Sequence, residues 1–509
     1  MAEKKNYDSE FCGNLPLHNI NLIQDYGYLI VLNKENLHIV QVSENVADIT
    51  GISLQALVNS KLSDYIDAGE LQKIATTSQK GFSGKIPLTI NLLKDQVQQA
   101  FHVLMHIKAD YIILELQQVE SGRSRNFTEV YQDVKYISYA LDAATSVQEV
   151  CEIAVHELRK LSGFDGVLMY QFDRDWNGTV IAEEKDERLE PYIGQSFPAS
   201  DVPKQARALY LKNPYRLIPN RDYVQTRLYP VINPISHAFI DLSDCNLRSV
   251  PAVHLEYMKN MNIMASMSIR VIKDAELWGL ISCHHLAVMY LDYEVCSVFE
   301  WLSALISSRV SAIVNQEAYD QSIAFQQKRV QLVDQVYAEN NIAAGLLQGY
   351  AINILELFNA GGAVIVLNGH METLGKVPER DDLDNLLFWL EGKDITKVFA
   401  TDHISGLFDD ASTYTDIGSG ILVIPINSTK GEYLVCFRPE VVETINWGGD
   451  PNQAINFEKN KKIYHPRNSF KLWQQTVVHH ALPWEQAALD AAESLRNFLF
   501  EFRTKQEYN

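Results

Sequence analysis

Short apolar segments separated by polar turns predict several β-strands in the first quarter of the chain. Tyr28–Leu32 and Ile39–Ser43 have this pattern around a polar turn, and the stretch 45–51 then predicts a short helix that ends at a glycine. Similar segments predict three further strands, at Ile86–Leu93, Ala100–Ile107 and Tyr111–Gln117. This part of the chain therefore predicts a small mixed domain built on a sheet.

The middle of the chain alternates between helical and strand-like patterns. Apolar spacing predicts helices from Phe127 to Leu161, with Ser146 as an internal N-cap. Strands are predicted at Gly166–Phe172, Thr179–Glu184, Ser266–Ile272 and Trp278–His284. From Asp292 the pattern is helical for an unusual distance, on the order of 70 Å at about 1.5 Å per residue. So long a helix joins two domains or lines a dimer.

Two apolar stripes are predicted along that helix. The first consists of Leu302, Ile306, Val310 and Ile313, and the second, after a polar interval, of Ile323, Val330, Val333 and Tyr337.

A third α/β segment follows from Ala343 to Leu482. Its predicted strands are Ala363–Leu367, Gly420–Ile426 and Tyr433–Arg438, and its end, from Trp447 to Trp484, is polar and weakly periodic. The last 25 residues carry a heptad-like stripe that predicts a coiled coil between two chains: Ala488, Ala492, Leu495, Leu499 and Phe502. No helix cap follows this stripe, so we expect the helix to continue into a further, output domain.

Composition excludes several classes of function. A formal net charge of −20 argues against a nucleic-acid surface, and we find no apolar stretch of about 18 residues that would predict a membrane span. The six cysteines are scattered without a CxxC motif, so neither disulfides nor a structural zinc site is expected, and a reducing cytoplasm is the expected compartment. The histidine pairs at 284–285 and 479–480 lack metal-ligand spacing, and no catalytic residue or phosphate loop is apparent.

The stretch Phe197–Pro203 is the most informative motif. Taken alone it predicts a helix start, in which Asp201 caps with its carboxylate and Pro203 lies in the first turn. Together with three other motifs, in this order along the chain, it resembles the photosensory core of a bacterial phytochrome, a red/far-red light receptor. The other motifs are Cys12, the segment from Leu247 through His254 to Tyr257, and Pro466–Phe470.

The resemblance implies an α+β fold of three tandem antiparallel-sheet sensory domains joined by long helices. The implied divisions are an N-terminal arm and PAS domain (1–125), a GAF domain (126–312), a PHY domain (313–484) and the start of a coiled-coil linker (485–509). Within the PHY domain the resemblance implies a hairpin-like "tongue" at about 443–483 that reaches back to the GAF domain.

The resemblance also implies the chromophore and its attachment. Biliverdin-type phytochromes attach their pigment through a cysteine at the position of Cys12, whereas phycocyanobilin-type proteins use the residue before the pocket histidine. That residue is Val253, so covalent biliverdin IXα is expected, and Cys283 beside His284 is expected to be a decoy on a strand. The arm departs from the family pattern at Asp25–Gly27, where a Pro-His-Gly turn is usual.

Further pocket roles are implied residue by residue. Arg216 and Arg248, with Tyr210, would hold one propionate. Ser266 and Ser268 would hold the other with His284 or His254. Asp201 would offer its backbone carbonyl to the pyrrole nitrogens beside Val202, with His254 facing the rings through a water. The aromatic site for the terminal ring would comprise Tyr170, Phe197 and Tyr257, with His284 on the ring carbonyl.

The implied function is light sensing by a parallel homodimer. In the dark Asp201 would pair with Arg467, and after illumination Ser469 would replace Arg467 as the tongue refolds; Trp447, Pro466 and Phe470 are the other tongue residues implied. The fragment itself is not expected to be an enzyme, and the expected output domain is a diguanylate cyclase, with a histidine kinase as runner-up. A pigment-free PAS–GAF regulator that senses a small molecule such as a cyclic nucleotide is the alternative.

Overall fold

The structure is a computed structural model that describes residues 18–79, 84–94, 97–119, 127–291, 293–349, 351–453, 455–457, 464–467 and 469–508. These residues form two compact units. The first comprises the described residues up to Ile313 together with Asn446–Trp473, and the second comprises Val314–Ile445 with the described residues from Gln474 onward.

A seven-stranded antiparallel sheet forms the first part of the first unit, in the order β1-β11-β3-β2-β6-β5-β4. Its side-chain core includes Leu32, Val42 and Phe101, each fully buried. The predicted strands are confirmed with small shifts at their ends. The strands are β1 (Leu22–Ile23), β2 (Tyr28–Asn33), β3 (Ile39–Ser43), β4 (Lys85–Lys94), β5 (Val97–Ile107), β6 (Tyr111–Gln118) and β11 (Thr226–Tyr229), and the helices are α1 (Val46–Thr50), α2 (Leu54–Leu57) and α3 (Ala68–Gln79).

Residues 21–24 hydrogen bond to two distant stretches of the chain. The backbone carbonyl of Asn21 accepts from the N–H of Leu228, and that of Leu22 accepts from the N–H of Ser249. Strand β1 also pairs with β11 in antiparallel register. Because these partners lie some 200 residues away, no local pattern could have predicted that β11 belongs to this sheet.

A second antiparallel sheet in the same unit has the order β10-β12-β13-β7-β8-β9. Ser146 caps its helix as predicted, since its hydroxyl accepts a hydrogen bond from the N–H of Glu149 at 3.2 Å. The strands are β7 (Gly166–Phe172), β8 (Gly178–Lys185), β9 (Ser196–Phe197), β10 (Tyr215–Ile218), β12 (Ala265–Lys273) and β13 (Glu276–His285), and the helices are α4 (Phe127–Ala143), α5 (Val147–Ser162), α6 (Lys204–Lys212) and α7 (Ala252–Asn260).

The predicted long helix is present as α8 (Tyr293–Glu339), with 47 residues. Its first predicted stripe is buried, including Leu302, Ile306 and Val310 at 0% exposure. The second predicted stripe is wrong, because Val330 and Tyr337 are about half exposed and Leu332 and Val336 are buried instead. Apolar spacing alone does not determine which helix face meets a core once polar residues interrupt the stripe.

Helix α8 is also the one helix among the described residues that is long and apolar enough to cross a membrane, judged by length and composition alone. Of its most apolar window, 44% is buried inside the protein.

The second unit contains a five-stranded antiparallel sheet in the order β15-β14-β18-β17-β16. Strands β15 and β16 were not predicted, since β15 is largely exposed and β16 has three residues. The strands are β14 (Gly362–Leu367), β15 (His370–Gly375), β16 (Phe399–Thr401), β17 (Gly420–Asn427) and β18 (Glu432–Arg438), and the helices are α9 (Ile342–Leu347), α10 (Ile354–Phe358), α11 (Arg380–Gly392), α12 (Thr415–Gly418) and α13 (Gln486–Tyr508).

The stripe on the last helix, α13, does not form the exposed coiled-coil seam that the sequence predicts. Ala488, Ala492, Leu495 and Leu499 are all at 0% exposure and belong to one core cluster with residues of the sheet such as Leu422. The prediction was wrong because an apolar stripe specifies burial but not the partner, and here the sheet of the same chain covers it.

The tongue segment contains β19 (Glu443–Gly448), β20 (Ile455–Phe457), β21 (Tyr464–Pro466) and β22 (Leu472–Val477). Strands β20 and β21 pair in antiparallel register. Within the first unit, Trp447 pairs in parallel register with Ser196.

Candidate functional site: a buried cavity of the first unit

Two adjacent cavities lie in the second sheet's part of the first unit. They share lining residues from the 197–203 motif and from helices α6 and α7: Asp201, Val202, Tyr210, His254 and Tyr257. The motifs that are separate in the sequence therefore meet at one place.

Strands β12 and β13 supply the polar floor of the smaller cavity. Ser266 lies opposite His284 in the sheet register, and Ser268 lies opposite Ser282. Because alternate residues of a strand face the same side, all four side chains line this cavity. Three hydroxyls and an imidazole are thus available to an oxygen-rich group. Cys283, which alternates with them, is fully buried, and burial raises the pKa of its thiol, so it has the inert character expected of a decoy.

Aromatic rings enclose the other side of the smaller cavity. The ring centroids of Tyr170 and Phe197 are 6.0 Å apart, and Tyr192 lies 5.7 Å from Phe197. A Cβ atom at Gly178 would lie 1.8 Å from the Tyr170 ring, so a glycine is required there for this ring position. The sequence interpretation included Tyr170 and Phe197 but missed Tyr192, Leu280, Ser282 and Met261, which line the same cavity.

Two arginines line the larger cavity, where Arg216 and Arg248 are buried at 9% and 6% exposure. The Arg216 guanidinium donates to the backbone carbonyl of Asn246 at 2.7 Å and to that of Arg248. Burial, followed by the charge of Arg216, lowers the pKa of Arg248 to about 9. Two cations held this way favour an anionic ligand between or beside them.

Asp201 does not cap helix α6, contrary to the simplest interpretation of its motif. The helix begins at Lys204 with Pro203 at the N-cap, and no side chain caps it. The Asp201 carboxylate instead accepts a hydrogen bond from the Tyr257 hydroxyl at 2.7 Å and forms an ion pair with Arg467. Burial lowers the pKa of Arg467, but the Asp201 carboxylate outweighs this effect and the pKa is raised.

The tongue residues around Arg467 close the cavity wall. Phe470 packs edge-on against Tyr257 at 4.9 Å between centroids, and the Arg467 guanidinium lies 5.3 Å from the Phe197 ring. The backbone carbonyl of Arg467 accepts from the Asn260 amide at 3.0 Å, and Pro466 lines the larger cavity. Trp447 is buried at 7% exposure, and Ser469 is exposed beside them.

Both pocket histidines are held neutral. Burial, then the charge of Arg216, lowers the pKa of His254 to about 4, and burial, then His254, lowers that of His284 to about 4. The His254 and Tyr257 rings are nearly parallel, 6.1 Å between centroids. Neutral imidazoles can donate or accept a hydrogen bond toward the cavity without adding to its positive charge.

These low pKa values predict an acid-sensitive pocket. Between pH 6.5 and 4 the unfolded chain binds protons at His254 and His284 that the folded pocket does not, so stability present above pH 6.5 is lost as the pH falls. We expect the free energy of unfolding of the pigment-free chain to fall by up to about 1.4 kcal/mol per pH unit per histidine. Urea midpoints of His254→Gln and His284→Gln should fall less steeply with pH. His156→Gln changes an exposed histidine and is the matched control; equal slopes in all variants would contradict the assignment.

Cys12 lies outside the described residues. Apart from Ser469 and Trp447, the other sequence-predicted residues lie in the walls described above or, like Arg467 and Phe470, in contact with them.

Comparison with known proteins identifies the family. Three family models match the chain: the PAS fold at residues 12–119, the GAF domain at 146–338 and the phytochrome region at 325–507. The chain is 34% identical to the Stigmatella aurantiaca phytochrome photosensory core module, with a TM-score of 0.84 over 98% of this chain and 99% of that one. The chain belongs to the phytochrome family.

A second solved structure places this phytochrome among bacterial photosensory cores. The bacteriophytochrome RpBphP3 of R. palustris is 32% identical, with a TM-score of 0.84 over 97% of this chain and 99% of that one. Cyanobacterial phytochrome B of Nostoc sp. is 37% identical over 96% of this chain, which spans 65% of that relative's length. The chain is thus a bacteriophytochrome-type photosensory core and a red/far-red photoreceptor module, and the pigment-free regulator is not favoured.

The cavity fits the linear tetrapyrrole that phytochromes bind. Asp201 is the only carboxylate among the described residues lining the two cavities, and Arg467 already pairs with it. Arg216 and Arg248 also line the larger cavity, and their positive charges suit an anionic group such as the propionates of a bilin. The apolar and aromatic walls suit conjugated rings.

Proposed function

We propose that this phytochrome core binds biliverdin IXα through a thioether at Cys12 and signals through its tongue. The observation that carries the proposal is the buried ion pair between Asp201 and Arg467, because it joins the cavity wall directly to the tongue. A change at the cavity wall and a change in the tongue are then energetically linked.

The choice of biliverdin rests on the cysteines. Position 253, before the pocket histidine, is valine, and the five described cysteines are all buried. A thioether forms when a thiolate adds to a vinyl group and a proton goes to the neighbouring carbon, so the reaction needs an accessible thiol. Cys12 is the remaining candidate.

Each pocket residue has a proposed task. Arg216 and Arg248, with Tyr210, anchor one propionate, and Ser266 and Ser268 with His284 or His254 anchor the other. The Asp201 carbonyl and His254 face the pyrrole nitrogens, and Tyr170, Phe197 and Tyr257 form the aromatic site for the terminal ring. The supporting observations are that these side chains line the cavities and that both arginines are buried.

When bound, the pigment supplies absorption of red light and isomerisation of the double bond joining its last two rings. The protein responds at Asp201. Its carboxylate has two oxygens and can exchange the guanidinium of Arg467 for the hydroxyl of Ser469, two residues along the tongue, if the tongue changes register. A changed tongue then repositions the long helices.

The experiment that tests this function is pigment assembly. The full chain expressed with biliverdin should absorb red light and switch reversibly between red- and far-red-absorbing forms under alternating illumination. The same chain offered phycocyanobilin should bind it without a denaturation-resistant bond. A colourless chain, or covalent attachment of phycocyanobilin alone, would contradict the proposal.

We also propose a homodimer through the long helices, although not through the buried stripe of α13. Trp301, Tyr319 and Val330 on α8 are 48%, 62% and 48% exposed. Tyr319 lies about five helical turns after Trp301, and Val330 lies about three turns after Tyr319, so the three side chains lie on one face of α8. Sedimentation of the pigment-bound chain distinguishes a dimer from a monomer.

Three further proposals concern the whole protein. The division into domains at about residues 125, 312 and 484, with the tongue at about 443–483, stays a prediction. A C-terminal output enzyme, a diguanylate cyclase before a histidine kinase, is consistent with the chain spanning 65% of the Nostoc relative. A cytoplasmic location is supported by five buried cysteines that are free thiols. The open reading frame after Asn509 would identify the output domain.

A further inference from the structure

Three side chains with metal-binding atoms meet in the first unit, away from the pigment cavity. His106 is on strand β5, and Asp244 and Cys245 lie in the loop that leads to Arg248. A ring nitrogen, a carboxylate oxygen and the sulfur all lie within 4.8 Å of one another. His106 and Cys245 are buried at 1% and 0% exposure, and Asp244 is partly exposed.

The hydrogen bonds of His106 determine which nitrogen is available. Its Nε2 lies 2.6 Å from Oε1 of Glu115, whose other oxygen accepts the N–H of Leu247 at 2.6 Å. An ionised carboxylate only accepts, so Nε2 carries the proton and, in a neutral ring, Nδ1 keeps its lone pair. A carboxylate behind the imidazole is also the usual arrangement behind histidine ligands of zinc.

The Nδ1 atom of His106 is a buried acceptor that makes no hydrogen bond within the described part of the chain. Its neighbour is Oδ2 of Asp244 at 3.7 Å, which is an acceptor as well. Lys108 already neutralises Asp244, so the group that lacks a partner is Nδ1 of His106, which a cation between it and Asp244 would satisfy. That cation is either a proton on His106 or a metal ion.

Cys245 distinguishes the two occupants. A proton on His106 makes no bond to the Cys245 thiol. A metal ion would bind the Cys245 sulfur, and the thiol proton would be released to solvent. The Sγ atom of Cys245 lies within 4.8 Å of both the ring nitrogen and the carboxylate oxygen, so it can complete a three-ligand set around one ion. One sulfur, one imidazole nitrogen and one carboxylate oxygen form a ligand set that suits Zn²⁺.

We propose that His106, Asp244 and Cys245 form a zinc site that ties strand β5 to the loop before Arg248. Lys108 holds both oxygens of Asp244 at 2.6 and 2.8 Å, and each oxygen retains a lone pair for the ion. The partly exposed side of Asp244 offers an entry path and a fourth position for water. The site stands independently of how the pigment is bound.

Zinc content of the full pigment-bound chain tests the proposal. After chelator treatment and addition of equimolar Zn²⁺, elemental analysis should give about one zinc per chain. X-ray absorption should show one Zn–S distance near 2.3 Å among N/O distances of about 2.0–2.1 Å. Zinc should also raise the unfolding temperature of the wild-type chain.

Variants separate this site from zinc bound elsewhere. Cys245→Ser and His106→Gln should each lose the stoichiometric zinc, and Glu115→Gln should weaken binding roughly 10- to 100-fold. Cys151→Ser, which changes another fully buried cysteine of the same unit, should keep it. A wild-type chain without zinc, zinc without a sulfur ligand, or equal zinc in Cys245→Ser and wild type would overturn the site. The X-ray absorption spectrum of the wild-type chain shows whether a sulfur atom binds the zinc, even if a variant fails to fold.

Discussion

Asp201→Ala is expected to abolish stable photoconversion of the pigment-bound chain while leaving the pigment attached. Asp201 and Arg467 are only 6% and 2% exposed at their side chains, and Tyr257 donates to the same carboxylate. Removing the carboxylate leaves the Arg467 charge buried without its counter-charge. Such a loss destabilises the state in which the tongue contacts the cavity wall by about 3–5 kcal/mol, which lowers the population of that state more than a hundredfold.

Two further variants separate the dark and illuminated states. Arg467→Ala should destabilise the dark state, and Ser469→Ala should leave the dark spectrum intact but shorten the lifetime of the illuminated state. The measurement is the red/far-red difference spectrum and its decay in darkness.

A second contact between helix α7 and the tongue offers a matched control. Glu256 pairs with His465 at 2.9 Å, with both side chains more than a third exposed, so Glu256→Gln should cost only about 0–1 kcal/mol. It should photoconvert normally. If Asp201→Ala also completes normal photocycles, the tongue exchange is not the signalling step.

Cys12→Ala is expected to remove all covalently bound pigment. Burial raises the pKa values of Cys151, Cys245, Cys283 and Cys436, so their thiols are neither ionised nor accessible. Denaturing electrophoresis with zinc-induced fluorescence should show a band for the wild type and none for Cys12→Ala.

Cys283→Ser is the matched control for the attachment site. Cys283 neighbours His284 of the pocket but is fully buried, so its variant should keep the fluorescent band. Pigment that stays on Cys12→Ala through denaturation would mean that another residue forms the bond. Non-covalent colour in the native variant would leave the attachment assignment intact.

Local patterns predicted most of the elements because their causes are local. Strand periodicity located β2, β3 and β7, and the Ser146 cap needs only a hydroxyl and the N–H three residues on. The pocket residues were predicted from motifs that occur in the same order in the phytochrome family. In the structure Arg216, Arg248 and His254 line one cavity.

The choice of partners depended on contacts between distant residues. The motif taken alone predicts that Asp201 caps its own helix, whereas the family resemblance implies the pair with Arg467, 266 residues later, that the structure contains. A carboxylate that caps a helix accepts hydrogen bonds from backbone N–H groups. A charged guanidinium is a stronger donor, so the carboxylate pairs with it where the fold brings the two together. Tyr192 and Ser282 line the pocket without belonging to any motif.

By itself the sequence determined most of the elements and the family, and it predicted the residues that would carry the chemistry, because 2.0 and 3.6 periodicities, caps and ordered motifs are local properties. Only the tertiary structure decided which surface covers each apolar stripe and which side chains outside the motifs line the pocket. The stripe of Leu495 and Leu499 looked free to bind a second chain, and its own sheet buries it. Likewise, His106 meets Cys245 only because a loop folds back onto strand β5. Burial and pairing depend on contacts across hundreds of residues, which no short pattern specifies.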